Sequence, residues 1–298
     1  MSLLITGASG QIGSEIALNC NRKKIKSILL TRSVKKKFFL KKKFKNCKII
    51  TFNELNKKEK IQTLIHTASI NDKVSNSKSD AVQISLNITK KIIKKIDLKR
   101  LKKVIYLSTA QVYGKNLIKK VSEKTTEKPI NNYGKSRLAT EKFLIKKAKQ
   151  SNFKIIVVRI SNVVGDPVFP NRQCLRLLPN DIKDQAKKFK SIILRSSGLQ
   201  YRNFVSLKTT SEILLKLVNL ESKNNQIFNL GGINTSVISF VKKFIIFFEK
   251  KYKKRIKLIL QSKEPRKVKK LLYNDSKLRN VLKFKRKETS KYIIKNLI

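Results

Sequence analysis

Short apolar runs alternate with longer amphipathic stretches through the first half of the chain. Each run has the length of a buried strand, and each stretch has apolar residues at helical spacing. Strands that alternate with helices predict right-handed crossovers and a parallel sheet. The predicted strands are Leu3–Thr6, Ser27–Thr31, Lys48–Phe52, Thr63–Thr67, Lys103–Ser108 and Lys154–Ile160, and the clearest helices are Asp80–Ile96 and Asn132–Gln150.

Polar or glycine-containing segments stand at the ends of four of these strands. They are Thr6–Gly13, Arg32, His66–Ser69 and Ser108–Thr109. In an open parallel sheet, ligands bind outside the carboxyl ends of the strands. We therefore expect these segments to line one continuous cleft.

The segment Thr6–Gly13 joins the first strand to an amphipathic helix. Gly7 permits a tight turn, Gly10 allows backbone to approach a pyrophosphate, and Gly13 lets the helix pack close to the strand. The helix N-terminus would direct free N–H groups and its positive dipole end at the phosphates. The pattern predicts nucleotide binding. Three glycines also occur in ordinary strand-to-helix turns, so the pattern alone is weak evidence.

The regular alternation weakens after Ile160. Short strands are predicted at Ser191–Leu194, Asn203–Ser206, Gln226–Leu230 and Arg255–Ile259, and helices at Thr209–Leu220 and Ser236–Lys251. We predict an α/β protein with a Rossmann-type doubly wound parallel sheet in residues 1–165. Residues 166–298 should form a smaller C-terminal α/β substrate lobe, with some segments returning to the main domain.

Composition fits a folded protein with an unusual charge. The 298 residues are 40% apolar, and 71 Lys plus Arg against 18 Asp plus Glu give a formal net charge of +53. No apolar run is long enough to span a bilayer, and the N-terminus leads straight into a strand, so we expect a cytoplasmic protein. The three cysteines, Cys20, Cys47 and Cys174, are far apart, which predicts neither disulfides nor a metal site.

The charge has two explanations. Lysines are spread over the whole length, as compositional drift in an AT-rich genome would produce. A domain this basic would also attract polyanions, because counterion release favours binding to phosphate chains. The stretch Lys35–Lys45 adds Phe38, Phe39 and Phe44 to its lysines, which fits either a solvated connector or a site for single-stranded nucleic acid.

Seven short segments, in this order, resemble those of the extended short-chain dehydrogenases/reductases. They are ITGASGQIG, LIHTAS, VIYLSTAQVYG, NNYGKSRLATE, VVRISNVVG, LQYRNFVSL and FNLGG. The family includes nucleotide-sugar epimerases, dehydratases and reductases, and the resemblance covers nearly the whole chain. It implies an enzyme that uses NAD or NADP and acts on a nucleotide sugar.

The resemblance implies catalytic roles for Tyr133, Arg137 and Thr109. Tyr133 matches the family's acid/base, which is paired with a lysine four residues later on the same helix face. Here that position is Arg137, which keeps the charge and could bind ribose hydroxyls and favour the phenolate. It could not relay a proton as lysine does. Thr109 matches the hydroxyl that contacts the substrate oxygen, and activity could be normal, specialised or lost.

The resemblance also implies cofactor contacts and a cofactor preference. The implied cofactor-binding residues are Gly7, Ser9, Gly10, Gln11, Ile12, Gly13, Arg32, Asn53, Ala68, Tyr133 and Arg137. A carboxylate at the end of the second strand would hold a ribose diol and repel a 2′-phosphate. Thr31 occupies that place and Arg32 follows it, so NADP is favoured over NAD. His66 is expected to be a packed histidine and not a base.

Asn162 and Arg202 match family positions that contact the nucleotide diphosphate, and Arg makes forked hydrogen bonds to phosphate. The family's 4,6-dehydratases have an Asp-Glu pair after the Ser/Thr, where this chain has Ala110 and Gln111. We therefore expect hydride transfer, in a nucleotide-sugar reductase or 4-epimerase. The alternative is a weak or inactive protein of the same fold that binds RNA or another polyanion. Relatives often dimerise through the tyrosine helix and the helix before it, but lysines on the latter oppose a homodimer here.

Overall fold

Strands and helices alternate through the first half of the chain and become less regular afterwards. The computed structural model describes residues 2–70, 72–169, 177–262, 268–285 and 288–298. The strands are β1 (Leu3–Thr6), β2 (Ser27–Thr31), β3 (Lys48–Thr51), β4 (Thr63–His66), β5 (Lys103–Thr109), β6 (Lys119–Val121), β7 (Lys154–Ile160), β8 (Asn162–Val164), β9 (Ser191–Leu194), β10 (Tyr201–Ser206), β11 (Gln226–Leu230), β12 (Ile233–Ser236), β13 (Lys257–Leu260) and β14 (Leu271–Tyr273). The helices are α1 (Gln11–Arg22), α2 (Val34–Lys43), α3 (Asp72–Asn76), α4 (Ala81–Lys94), α5 (Asn132–Lys149), α6 (Leu178–Phe189), α7 (Leu207–Asn219), α8 (Val237–Tyr252), α9 (Ser276–Leu282) and α10 (Ser290–Lys295). Two 3₁₀ segments, Lys57–Glu59 and Ala110–Asn116, complete the set.

The main sheet has seven parallel strands in the order β3-β2-β1-β4-β5-β7-β11. All residues of β1, β2 and β4 are buried, as expected of strands covered on both faces. The chain winds outward in both directions from β1 and β4, so the switch point of the topology lies between them. The structure confirms the predicted doubly wound sheet, and in sheets of this kind ligands bind at the carboxyl ends of the strands beside the switch point.

Helices cover the two faces of this sheet with separate cores. On one face Ile16 of α1, Leu40 of α2 and Leu214 of α7 belong to one apolar cluster. On the other face Ile93 of α4 and Leu144 of α5 belong to a second cluster. The two cores hold the carboxyl edge of the sheet between α1 on one side and α5 on the other.

The second half of the chain builds three smaller sheets and also extends the main one. β8, β10 and β12 form a three-stranded sheet, β9 pairs with β13, and β6 pairs with β14. Phe204 of β10 stacks on Phe240 of α8 with ring centroids 4.4 Å apart, inside a third core. β11 joins the main sheet beside β7, so part of the later chain does return to it. The division at residue 165 stays a prediction.

One local expectation is wrong. Lys35–Lys45 is not a connector, because Val34–Lys43 forms α2, capped by the Ser33 side chain that accepts from Lys36 N. Likewise Ser206 caps the helix after β10 by accepting from Thr209 N at 3.0 Å. In both cases a serine at the strand end starts the helix.

Candidate active site

The turn between β1 and α1 requires its glycines. Gly7 has φ +68°, and a Cβ there would lie 2.6 Å from Thr67 Oγ1 and 2.9 Å from the Ala68 amide nitrogen. A Cβ on Gly13 would lie 2.2 Å from the Gly7 carbonyl oxygen. The turn is therefore pressed against the end of β4, where the Ala68 N–H donates to Thr6 Oγ1 at 3.3 Å. This contact places Ala68 beside the glycine turn, as the sequence predicted.

The N-terminus of α1 has no side-chain cap. Gly10 is the N-cap residue and is exposed, and its own N–H donates to the Gly7 carbonyl at 2.8 Å. By contrast, Ser33 caps α2 and Ser206 caps α7. The first-turn N–H groups of α1 are thus left for an anion, the arrangement that binds a pyrophosphate. Ser9 is half-buried beside them, and the Gln11 side chain donates to the Gly165 carbonyl at 2.9 Å instead of facing the turn.

A cavity of about 320 Å³ opens beside the glycine turn, at the start of α2. It is lined by Ser9, Ser33, Lys35, Lys36, Phe39, Leu40 and Phe169. The predicted contact Arg32 is exposed next to this cavity lining, and Thr31 is buried and supplies no carboxylate. The sequence missed the roles of Ser33 and Lys36. The available signal was Ser33 itself, because serine is a preferred N-cap residue.

Asn53 follows β3 and is exposed. Its carbonyl oxygen lies 3.4 Å from Lys95 Nζ, and the carbonyl of Phe52 accepts from the same ammonium at 3.0 Å. Lys95 thus fixes the backbone of the loop after β3 and leaves the Asn53 side chain free of that contact. Its role beside an adenine stays a prediction.

The start of α5 packs on the turn that follows β5. Asn131 caps α5 by accepting from Gly134 N at 2.8 Å, and the Tyr133 N–H donates to Asn76 Oδ1 at 3.2 Å. A Cβ on Gly134 would lie 2.6 Å from the Gln111 carbonyl oxygen. This close approach brings the half-buried Tyr133 to the carboxyl end of β5.

Arg137 lies beneath Tyr133 and points into the protein. Its side chain is 8% exposed, its Nη1 donates to the Leu107 carbonyl at 3.1 Å, and its Cζ lies 5.0 Å from the centroid of the Tyr133 ring. Its Nε is buried and has no hydrogen-bond partner among the described residues. A fixed positive charge therefore sits under the phenol, held to the backbone of β5.

Thr109, the last residue of β5, is 7% exposed. Its hydroxyl accepts from the Gln111 N–H at 3.3 Å and so caps the 3₁₀ segment. Helix α5 contacts the chain on both sides of Thr109. Arg137 contacts Leu107 before it, and Gly134 lies against Gln111 after it. The structure thus brings Thr109, Tyr133 and Arg137 to one edge of the sheet, and their catalytic roles stay a prediction.

His66 is a packed residue, as expected. It is fully buried, its Nδ1 lies 2.8 Å from Thr6 Oγ1, and its Nε2 lies 2.9 Å from Thr89 Oγ1. Burial, and to a lesser degree the charge of Arg137, lowers the pKa of His66 to about 3. The ring is therefore neutral at physiological pH and is not a base for the site.

A buried ion cluster supports the site from behind. Arg159 is 1% exposed and its Nη2 lies 2.7 Å from Glu141 Oε2, with Glu127 as a second carboxylate partner. Glu141 also accepts from the Ser108 hydroxyl, next to Thr109. Arg159 is thus structural, and it leaves neither carboxylate free.

Tyr113 is the second tyrosine close to this edge of the sheet. Its hydroxyl donates to Asn229 Oδ1 at 2.7 Å, and burial raises the pKa of Tyr113 to about 12. The side chain is fully enclosed. Tyr133, which is half-buried, is therefore the more accessible of the two tyrosines.

The predicted substrate residues lie on neighbouring strands of the small sheet. Asn162 and Arg202 are both exposed, and Asn162 Nδ2 donates to the Asn203 carbonyl at 2.9 Å. Asn203 is buried and its Oδ1 accepts from Gly232 N at 2.9 Å, so this residue holds the glycine pair after β11. Contact with a diphosphate stays a prediction for Asn162 and Arg202. Cys174 lies outside the described residues.

Within the described ranges no cluster of three or more His, Cys, Asp or Glu side chains could hold a metal ion. In the same part of the chain, no helix is both long and apolar enough to cross a bilayer.

Comparison with known proteins agrees with this geometry. The family model described as "NAD dependent epimerase/dehydratase family" matches residues 3–231. The human dTDP-D-glucose 4,6-dehydratase is 33% identical over 147 residues, which cover 49% of this chain and only 40% of that enzyme's length. The GDP-6-deoxy-D-talose 4-dehydrogenase of Aggregatibacter actinomycetemcomitans is 28% identical over 240 residues, or 80% of this chain and 76% of that one.

Solved structures share the fold. The UDP-glucose-4-epimerase of Stenotrophomonas maltophila, which contains NAD and formylated UDP-arabinopyranose, superposes with a TM-score of 0.81 at 14% identity. The superposition covers 100% of this chain and 96% of that one. At this identity the likeness establishes the architecture alone.

Proposed function

Since the chain belongs to the NAD dependent epimerase/dehydratase family, we propose that it transfers hydride at a carbinol carbon of a nucleotide sugar, as a reductase or a 4-epimerase. One observation carries the proposal. The glycine turn, the Ala68 loop and the Tyr133–Arg137 pair meet at the carboxyl edge of one parallel sheet. Neither the family nor the relatives support the alternative of an RNA-binding protein.

The glycine turn fits a dinucleotide. A Cβ at Gly7 or Gly13 would collide with backbone, and Gly10 leaves the first turn of α1 uncapped. We assign the pyrophosphate to the backbone of residues 9–13, the adenine side to Asn53, and the nicotinamide ribose to Tyr133 and Arg137. When bound, the nicotinamide would supply the hydride acceptor or donor.

The cavity at the start of α2 favours NADP over NAD. Lys35, Lys36 and Ser33 line it, and Arg32 precedes them, so a 2′-phosphate placed there would meet cations and a hydroxyl. Phe39 and Phe169 offer apolar walls for an adenine ring. A ribose diol without phosphate would find no carboxylate at this position, because Thr31 occupies it.

Tyr133 exchanges a proton with the sugar oxygen, and Thr109 donates a hydrogen bond to the same oxygen. Arg137 keeps a positive charge beneath the Tyr133 ring at a centroid distance of 5.0 Å. Because the guanidinium is anchored on the Leu107 carbonyl, the charge cannot swing away during the reaction. The arrangement supports a proton transfer coupled to hydride transfer.

Elimination of water from the sugar fits the site less well. Ala110 is buried and the Gln111 side chain accepts from Asn131 Nδ2 at 3.4 Å, so no carboxylate follows Thr109. Glu141 is held by Arg159, and Glu123 accepts from the Asn229 N–H at 2.8 Å. Those two carboxylates are therefore engaged in the fold.

The test is binding followed by turnover. Titration calorimetry with NAD, NADH, NADP and NADPH, at several salt concentrations, should show binding of both pairs, tighter for the phosphorylated pair. Hydride transfer is then assayed with a panel of 4-keto and 4-hydroxy nucleotide sugars, with Tyr133→Phe as the control. If the protein binds none of the four dinucleotides, the proposal is wrong.

A further inference from the structure

The outward side of α2 exposes large apolar side chains among lysines. Val34 is 76% exposed, Phe38 is 66% exposed and Phe39 is 53% exposed. Leu40 is the buried residue of this helix, and it packs against the main core. This ten-residue helix therefore buries one apolar side chain and exposes three others, so part of its apolar surface is uncovered.

The helical spacing groups four of these side chains into one surface. At 100° per residue, Val34 and Phe38 lie one turn apart on the same line, and Lys41 and Lys42 flank that line on the next turn. Leu40 lies on the opposite side, where it is buried. We call the surface formed by Val34, Phe38, Lys41 and Lys42 the α2 face.

The charge around the α2 face has one sign. Lysines occupy positions 35–37, 41–43 and 45, and no acidic residue stands in the helix. Within the described residues, the ion pairs of this segment consist of Lys37 with Glu54. Lys41 and Lys42 are exposed and point their charge at solvent. A negatively charged surface would complement them.

We propose that the α2 face docks the protein on the surface of an anionic lipid bilayer. Val34 and Phe38 enter the interfacial region, while Lys41 and Lys42 contact headgroup phosphates. Clusters of lysines attract anionic lipid headgroups, and the two exposed apolar side chains beside them add burial to that attraction. The cofactor cavity uses Ser33, Lys36 and Phe39 of the same segment but none of the four residues of the α2 face.

A lipid surface fits the α2 face better than a nucleic-acid strand does. Single-strand binders stack successive bases on exposed aromatic rings. Phe38 and Phe39 meet edge to face, with centroids 6.3 Å apart and an interplanar angle of 76°, so they offer no pair of parallel platforms. Val34, the most exposed apolar residue of the helix, has no ring to stack on a base, whereas the bilayer interface accepts it.

The experiment is a vesicle flotation assay with the full chain. Phosphatidylcholine vesicles with and without phosphatidylglycerol are compared at low and high salt. We expect binding to the anionic vesicles, weakened but not abolished by salt. Val34→Ser combined with Phe38→Ser leaves the charge unchanged and should reduce binding by about tenfold or more.

A charge-matched control separates the α2 face from the overall charge. Lys41→Gln with Lys42→Gln should weaken binding more than Lys90→Gln with Lys94→Gln, which lie on α4 across the main sheet. Equal losses from the two lysine pairs, or unchanged binding of the Val34→Ser/Phe38→Ser variant, would overturn the proposal. A third result would also overturn it: the protein binds single-stranded RNA but not vesicles, and the Val34→Ser/Phe38→Ser variant binds that RNA more weakly. Circular dichroism and NADP titration verify that each variant is folded.

Discussion

Three helices end in lysines whose backbone is left-handed. Lys190 closes α6 with φ 50° and ψ 24°, Lys253 closes α8 with φ 53° and ψ 37°, and Lys283 closes α9 with φ 48° and ψ 45°. Glycine is the usual residue at this place, because it has no Cβ to collide with the neighbouring carbonyl. We predict that replacing all three lysines by glycine stabilises the protein.

The size of the effect follows from two opposing terms. The left-handed conformation costs a residue with a Cβ about 1–2 kcal/mol, and the greater freedom of glycine in the unfolded chain returns about 0.5–1 kcal/mol of that. The net gain is about 0.5–1 kcal/mol at each site. The three side chains are exposed and form no ion pair with the described residues, and unfolding at high salt screens the interaction of their charges with the helix C-termini. The sites lie at three different helix ends, and their effects should add to roughly 2 kcal/mol.

Urea unfolding of the wild-type and triple-glycine proteins measures this gain as a higher midpoint at unchanged slope. The matched control replaces the same three lysines by alanine, which removes the same charge but keeps a Cβ. If repulsion among the positive charges were the cause, the alanine variant would be stabilised equally. That result would refute the argument from backbone conformation, as would a triple-glycine protein no more stable than the wild type.

Three further predictions concern the site. Gly13→Ala should weaken NADP binding by roughly tenfold or more, because its Cβ would lie 2.2 Å from the Gly7 carbonyl oxygen; calorimetry measures the affinity and circular dichroism the fold. Arg137→Met should lower kcat by roughly 10²-fold while Arg137→Lys, which keeps the charge beneath Tyr133, retains most of it; steady-state kinetics that rank the two variants equally would contradict the role of the charge. His66 should make unfolding pH-dependent, because its pKa falls from 6.5 in the unfolded chain to about 3 in the fold. The unfolded state then binds the extra proton, so stability is lost as pH falls below 6.5, at up to about 1.4 kcal/mol per pH unit. In the His66→Gln variant the free energy of unfolding should depend less steeply on pH between pH 6 and 4, by that amount. Urea unfolding at several pH values in this range measures the difference.

The main sheet could be predicted because each of its strands contains a short run of apolar residues that the sheet buries. β1, β2, β7 and β11 have the bounds that their apolar runs indicate. Strands covered on both faces require such runs, and the glycine turn fixed the place of the first crossover. The sequence order of these elements then left few parallel topologies.

Elements without a local apolar signal could not be predicted. β6 contains Lys119 and Lys120 and becomes a strand only by pairing with β14, in which Leu271 pairs with Lys119 from 152 positions away. α2 is too rich in lysine to show an apolar stripe, so its helix was hidden in a basic run. Ser33, the N-cap, was the one local signal of this helix, and a single serine does not by itself predict a helix.

At the site, motif matching identified residue types and positions but not side-chain directions. The substitution of lysine by Arg137 was visible in the sequence, yet its contact with the Leu107 carbonyl was not, because a larger planar group has several ways to pack. Gln11 likewise contacts Gly165, a residue 154 positions away. Long-range contacts of this kind depend on how the two halves of the chain pack, which no short segment encodes.

The same left-handed lysines bear on the meaning of the net charge. Among the described residues, the non-glycine positions with positive φ are Lys24, Lys60, Lys119, Lys190, Lys253 and Lys283. Asparagine and aspartate tolerate this conformation better than lysine does, and glycine best of all. Lysine at every such position has a conformational cost that glycine or asparagine would reduce, which is the result expected if genome composition sets residue choice. The total of +53 is therefore poor evidence for a polyanion ligand. The α2 face is different, because there the lysines surround exposed Val34 and Phe38, and drift toward lysine does not explain two uncovered apolar side chains one turn apart.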